Sequence, residues 1–463
     1  MTSESGFYRF IVMLVGFWCL SSVFANYSII NMTFICMKDD PSGEYTNDNG
    51  TVVNVYDYTP TEKAAIIWAV AIGTVVGTFP FNYCFVKFGA RYTFLTAGLI
   101  SAVATSVIPM VAQSSFPLLL VVRVIQGIAY SADFAVIGII CVKWAPLDEN
   151  AIFVSVLTIF SPIATSITDS ISGLLCTSSL GWQSAFYLHA IAGVIFFIIW
   201  AFVYSDTPKT HRFVSSGELE LIQKGKSDAH FAVKRDVPYL KIATNPAILC
   251  CWFNAFMDLS MSILIITYSP TYFNEVLGFP IEQTGFIISI TNFAQIPFKM
   301  VAAYVSDKVT IVSPLTKMLI FNTISCGIVA VLFGFVGFVP ASQRWVAMGL
   351  VTAVNCLMSS NCGGYYQCAR YVSQQYADVT IAAIQFCKAV ALFFVPGLVA
   401  VFVHDETSRS QWAQAFCVNS GLLLVATISS YCLFTDKPAA FTQTADKRSS
   451  TTTDDSNDLE LKL

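Results

Sequence analysis

Six ionisable side chains interrupt otherwise apolar stretches of this 463-residue chain: Arg123, Asp133, Asp169, Asp258, Lys299 and Lys388. A charge held in hydrocarbon costs at least about 2.5 kcal/mol, so each needs a partner or a wet path, and the chemistry open to it is ion or proton binding. Arg123 and Asp169 fall in the outer third of their stretches and Asp258 and Lys388 nearer the middle, so each pair can neutralise itself, as a fixed salt bridge or as a gate. Asp133 has no evident cation at its depth and is the preferred proton site; a hydrogen bond to Ser131 or an aqueous cavity would be its plainer surroundings. Lys299 lies near the inner end of its stretch, where a long stem can snorkel to the interface. Enzyme chemistry finds little support: there are four histidines, with no HExxH, no GxSxG and no glycine-rich phosphate loop, and neither a cofactor nor a metal is expected.

The elements that must position these groups follow from composition. Hydrophobic residues make up 55% of the chain and charged residues 12%, against roughly 25% charged in soluble domains, which points to lipid as solvent. A net charge of -4 lacks the basic excess of nucleic-acid binding proteins, so nucleic acid is not an expected partner. Most of the 14 cysteines sit singly in apolar runs as small buried hydrophobes; only Cys36 and Cys176 lie near outer helix ends, where an oxidising compartment could allow a bridge.

Crossing a bilayer takes about 20 apolar residues as a helix. Twelve stretches qualify, near 9–37, 63–85, 92–113, 116–141, 151–176, 184–204, 247–273, 281–304, 315–338, 344–367, 379–403 and 411–435. With both termini cytoplasmic, the inner loops hold 13 Lys and Arg, and the outer loops hold only Lys38, Lys63, Arg344 and Arg409, the asymmetry expected of cytoplasmic against outer loops. The acidic 38–62 loop then lies outside and offers Asn49 of Asn49-Gly50-Thr51 for glycosylation, whereas the sequons at Asn26 and Asn31 lie within the first span. Pro162, Pro297 and Pro396 inside spans predict bends, and Gly73-x-x-x-Gly77 predicts close packing of the second span.

A polar stretch with seven Lys or Arg divides the spans six and six, giving an N-terminal bundle over 1–205, a cytoplasmic linker over 206–246, a C-terminal bundle over 247–436 and a disordered tail over 437–463. This plan resembles the all-α major facilitator fold, with 12 transmembrane helices in two six-helix bundles that rock about a midplane site. The turn reading Asn82 to Arg91 is weakly echoed in the second half by Ala303 to Lys308.

Leu119-x-x-x-Arg123-x-x-Gln126-Gly127 resembles the fourth-helix motif of major facilitator transporters, whose arginine is linked to proton coupling. Lys143 to Glu149, Gly181-Trp182-Gln183-Ser184-Ala185-Phe186-Tyr187, Pro270 to Phe279, Asn361-Cys362-Gly363-Gly364-Tyr365-Tyr366 and Gln411-Trp412 follow in order. Together, over about residues 9–436, they resemble the organic-anion solute carriers that include sialin, the vesicular glutamate transporters and the type I sodium/phosphate cotransporters. The resemblance implies secondary transport of a small solute, an organic anion or related metabolite, coupled to protons, sodium or membrane potential, in a plasma, lysosomal or vesicular membrane. The chain departs from that family where substrate is handled. The family's first-helix arginine falls near Asn26 or Tyr27, a fourth-helix acid falls on Tyr130, and the seventh-helix arginine of the glutamate carriers falls on Asp258. A less cationic pathway is therefore expected, built on Arg123, Asp133, Asp258, Lys388, Asn26, Tyr130 and Asp169 and accepting a monoanion, zwitterion or neutral solute in preference to glutamate. A transport-inactive receptor or scaffold on the same fold is the alternative.

Overall fold

The computed structural model describes residues 6–46, 52–146, 149–224, 237–308 and 311–442. Asn49, the middle of the linker and nearly all of the expected tail lie outside the described residues. Twelve helices are long and apolar enough to span a membrane: α1 (Tyr8–Met37), α2 (Pro60–Phe88), α3 (Ala90–Ser114), α4 (Phe116–Trp144), α5 (Ile152–Cys176), α6 (Gly181–Val203), α7 (Pro246–Val276), α8 (Ile281–Ser306), α9 (Pro314–Val336), α10 (Ala341–Ser373), α11 (Val379–Phe402) and α12 (Arg409–Leu433). The first six and the last six each form a bundle. A two-stranded hairpin, Glu44–Thr46 against Val52–Asn54, marks one end of the molecule, here the hairpin face; the segment joining α6 to α7 marks the opposite, linker face.

Local chemistry sets the helix starts. Thr59 and Glu62 form a reciprocal capping box ahead of Pro60, and Asn245 caps α7 ahead of Pro246, so orphan amides are satisfied where proline begins a helix. Gly89, at φ 78°, makes the turn from α2 to α3. Asp206 accepts the amides of Ala90 and Arg91 at 2.6 and 3.1 Å and pairs with Lys143 at 3.0 Å, so one carboxylate ties together the linker-face ends of α3, α4 and α6.

Glycine permits the closest packing. A Cβ at Gly73 would stand 2.1 Å from the Val124 carbonyl oxygen, and one at Gly127 2.1 Å from that of Val70, which confirms the expected close contact of α2, here with α4. Several spans are less regular than the hydropathy pattern implies. α4 is interrupted at Ser131, and α5 at Ile159, three residues before Pro162. Pro297 and Pro396 lie inside α8 and α11 as expected, and Pro80, Pro109 and Pro270 are also intrahelical. A π-turn, Tyr272–Val276, begins two residues after Pro270. Cys36 is bonded to Cys176, joining α1 to α5 at the hairpin face.

Candidate transport pathway

A cavity of about 150 Å³ lies between the bundles, walled by α1, α4 and α5 on one side and by α7 and α11 on the other. Its lining is aromatic and aliphatic, with Phe24, Tyr27, Ile263, Ile266 and Leu392 prominent, and with hydroxyls from Ser161, Ser262 and Thr267. Among the described residues the charged side chain on its wall is Lys388 of α11. The Lys388 ammonium donates to the Tyr130 hydroxyl at 2.6 Å and stands 5.3 and 5.8 Å from the ring centres of Tyr130 and Phe24. Tyr27 stacks on Tyr130 with centroids 5.0 Å apart. Tyr130, which occupies the family's acidic position, thus offers Lys388 a neutral partner.

Arg123 is fully buried behind this wall. Its Nη1 donates to the Tyr27 carbonyl at 3.0 Å and to Gln126 Oε1 at 2.6 Å, its Nε donates to the Ile66 carbonyl at 3.4 Å, and Nη2 makes no hydrogen bond. Gln126 in turn donates to the Asn26 carbonyl and to Thr105, and Asn26 donates to Ser101. The motif arginine therefore braces α1, α2 and α4 through main-chain carbonyls.

Two expected pairings are corrected. Arg123 and Asp169 form no ion pair: Asp169 lies against α8, where a Cβ on Gly285 would be 2.4 Å from its carbonyl oxygen, and Asp169 Oδ2 is buried without a hydrogen bond. Asp258 does not pair with Lys388. Its Oδ2 accepts from Asn361 at 3.0 Å and Tyr365 at 2.9 Å, because α10 presents these donors directly to α7. Lys299 of α8 is half-buried and makes no ion pair with Asp258. The Ser131 hydroxyl is spent on the Ile128 carbonyl, and the buried Asp133 carboxyl has no hydrogen-bond partner among the described residues.

The hairpin face is closed by contacts between bundles that sequence reasoning missed. Lys63 of α2 pairs with Glu406 at 2.6 Å, and Lys38 pairs with Glu275 of α7. The available signal was scarcity, since Lys38 and Lys63 are two of only four basic residues expected on that face. Below them, Trp68 of α2 donates to the Phe393 carbonyl of α11 at 2.9 Å. On the α5–α8 seam Ser289 donates to the Ser166 carbonyl at 2.5 Å and meets Ser170 at 2.6 Å. Among the described residues no side-chain hydrogen bond joins the bundles on the linker-face side of Lys388. On that side Arg9 instead binds Glu149 and Glu218, strapping the short helix Ser216–Gln223 to the start of α1.

The motif residues now have positions. Trp182 and Gln183 donate to Asp40 at 2.7 and 2.8 Å and pin the hairpin, Asn361 and Tyr365 hold Asp258, and the Trp412 indole donates to the Glu406 carbonyl at 2.8 Å.

Two six-helix bundles closed at one face around a central cavity define a membrane transporter fold. The Major Facilitator Superfamily family model matches residues 16–396, and the chain belongs to that superfamily, whose members are transporters and not enzymes. Among curated relatives it is 24% identical to mouse sodium-dependent phosphate transport protein 1 over 65% of this chain and 66% of that one. It is 27% identical to a mouse probable small intestine urate exporter over 51% and 48%, and 22% identical to sheep sialin over 88% and 84%. The matched stretches thus span about two-thirds and about half of the two mouse proteins. A vesicular glutamate transporter of zebrafish is 22% identical, so the relatedness to these anion-carrier families is distant. Among solved structures, an inward-facing bacterial homolog of the human lysosomal transporter Spinster superposes with a TM-score of 0.67 at 12% identity, covering 93% of this chain and 97% of that one. The D-xylose–proton symporter gives 0.67 at 14%, covering 93% and 98%.

Proposed function

We propose that the protein is a secondary transporter that moves a small organic anion or related metabolite by alternating access. The observation that carries this reading is a cavity lined by both bundles in which Lys388 is the charged side chain on the wall. Closure at the hairpin face, with no matching bonds at the linker face among the described residues, suits one of the two end states of such a cycle. The positive-inside balance supports a cytoplasmic linker face and an outer hairpin, and an outer 38–62 loop would offer Asn49 for glycosylation.

One cavity cation among the described residues suits one negative charge, because a second buried carboxylate without a partner costs several kcal/mol. Glutamate is therefore expected to be a poor substrate. Screening metabolite uptake into proteoliposomes containing the wild-type protein or Lys388→Met tests this. Saturable uptake of a monoanion that Lys388→Met abolishes is expected, whereas robust glutamate uptake would sink the charge argument. The replaced family charges at Asn26, Tyr130 and Asp258 favour the second reading, a transport-inactive receptor or scaffold. That reading would show as no uptake of any solute by correctly folded protein.

A further inference from the structure

A slot of about 180 Å³ lies between α1, α5 and α6 and shares no lining residue with the cavity between the bundles. Its walls run from Trp18 to Ala25 on α1 and from Ala164 to Ile171 on α5, a seven-residue advance of about 10 Å along each helix. Trp18 and Leu188, which line it, are exposed, so the slot opens on the outer surface of the bundle, the surface that meets lipid in a membrane. Trp18 and Phe196 stack with centroids 5.7 Å apart at the end toward the linker face, and His189 stands at the end toward the hairpin. His189 is 7% exposed, and its Nδ1 meets the Ala185 carbonyl at 2.8 Å. A carbonyl only accepts, so Nδ1 carries the ring hydrogen, and a second proton would place an unpaired charge in apolar surroundings. The neutral ring keeps a lone pair on Nε2, which has no hydrogen-bond partner among the described residues. Ser21 and Thr168 line the same slot, and their buried hydroxyls have no partner among the described residues either.

We infer that this slot is a sterol site, with the fused rings held between the three helices and the sterol hydroxyl donating to His189 Nε2. Lipid tails are as apolar as the slot, so burial alone selects nothing there, and packing and hydrogen bonding decide what stays. A lone acceptor in an apolar wall selects a molecule with a hydroxyl. A straight slot selects a rigid body, because fused rings have no rotamer freedom to lose whereas a flexible chain must be ordered. Small side chains, one from each helix, at Ala25, Ala164 and Ala192 leave room for such a body, and Trp18 with Phe196 gives it a firm aromatic end. The polarity also runs the right way: the acceptor is at the end nearer the hairpin face and the aromatic pair is deeper, matching a sterol that enters hydroxyl outward from the leaflet on that side. The occupant would brace α6 against α1 and α5, whose other residues Phe24, Tyr27 and Ser161 wall the cavity between the bundles. The site does not depend on which solute that cavity takes.

The test uses purified full-length protein in phosphatidylcholine nanodiscs and a cholesterol analogue with a photoreactive diazirine on its rings. Labelling should saturate and map to peptides of α1, α5 or α6 that line the slot. Cholesterol should compete, and cholestane, the same body without the hydroxyl, should compete about tenfold less well, the loss of one hydrogen bond. Octadecanol, a flexible alcohol, should also compete less well than cholesterol. His189→Phe keeps an aromatic ring and removes the acceptor, so it should weaken competition by cholesterol about tenfold and erase its advantage over cholestane. Ala192→Trp should fill the slot and abolish saturable labelling. An unchanged melting temperature in sterol-free nanodiscs shows that each variant is folded. Labelling that maps elsewhere, or that stays saturable in Ala192→Trp, would overturn the site. Equal competition by cholestane would overturn the hydroxyl contact, and equal competition by octadecanol would overturn a sterol as the occupant. Should both variants fail to fold, the mapped labels and the three competitors on the wild-type protein still decide the question.

Discussion

Lys63 and Glu406 meet at 2.6 Å across the boundary between the two bundles, with side-chain exposures of only 7% and 18%. A charge-assisted bond that dry is worth about 2 kcal/mol, enough to shift a two-state equilibrium roughly 30-fold. Lys63→Ala or Glu406→Gln should therefore favour opening at the hairpin face, seen as faster labelling of a cysteine introduced at Thr267. The swapped pair, Lys63→Glu with Glu406→Lys, should restore slow labelling; fast labelling in the swap would deny the pair a gating role.

Arg123 donates three hydrogen bonds in a fork that lysine cannot reproduce. Arg123→Lys is expected to lose transport at least about tenfold while reaching the membrane in normal amount, because α1, α2 and α4 lose their common brace. Near-normal transport by Arg123→Ala at normal abundance would reduce the residue to packing.

Asp258 and Lys388 belong to separate networks, so their substitutions should act independently. In a double-mutant cycle of Asp258→Asn and Lys388→Met the coupling should be within about 0.5 kcal/mol, and the double variant should not regain activity. Restored activity in the Asp258, Lys388 double variant would contradict the observed partners.

Asp40 anchors the hairpin through Trp182 and Gln183. Burial alone would raise its carboxyl, but the hydrogen bonds from Ser42, Trp182 and Gln183 outweigh it and hold the group below its ordinary value. Its stabilisation is whole above the ordinary carboxylate range and is lost as pH falls through the folded-state value. Wild-type melting temperature should fall on strong acidification by a few degrees more than that of Asp40→Asn, and parallel melting curves would remove Asp40 from the account.

The twelve spans were legible because hydrocarbon imposes a length on any helix that crosses it. The glycine contact of α2 was legible for a similar reason, since the 73 and 77 spacing fixes one helix face. Partners of the intramembrane charges were not. Counting from helix ends gives depth, which put Asp258 level with Lys388 and Arg123 level with Asp169, but successive residues turn about 100° around a helix and depth says nothing of direction. Asp258 turns toward α10 and Lys388 toward α4. The interruption at Ser131, which sets where Asp133 points, has no proline to announce it.

The seam at Gly285 acts as a mechanical end-stop. Its α-carbon rests against the Asp169 carbonyl with no room for a methyl group, so the travel of one bundle toward the other ends where two main chains touch. The ion pairs nearby then govern how long the shut arrangement dwells, and the two main chains govern how far shut it goes. Changes to Lys63 or Glu406 should alter the tempo of the cycle and leave its stroke unchanged.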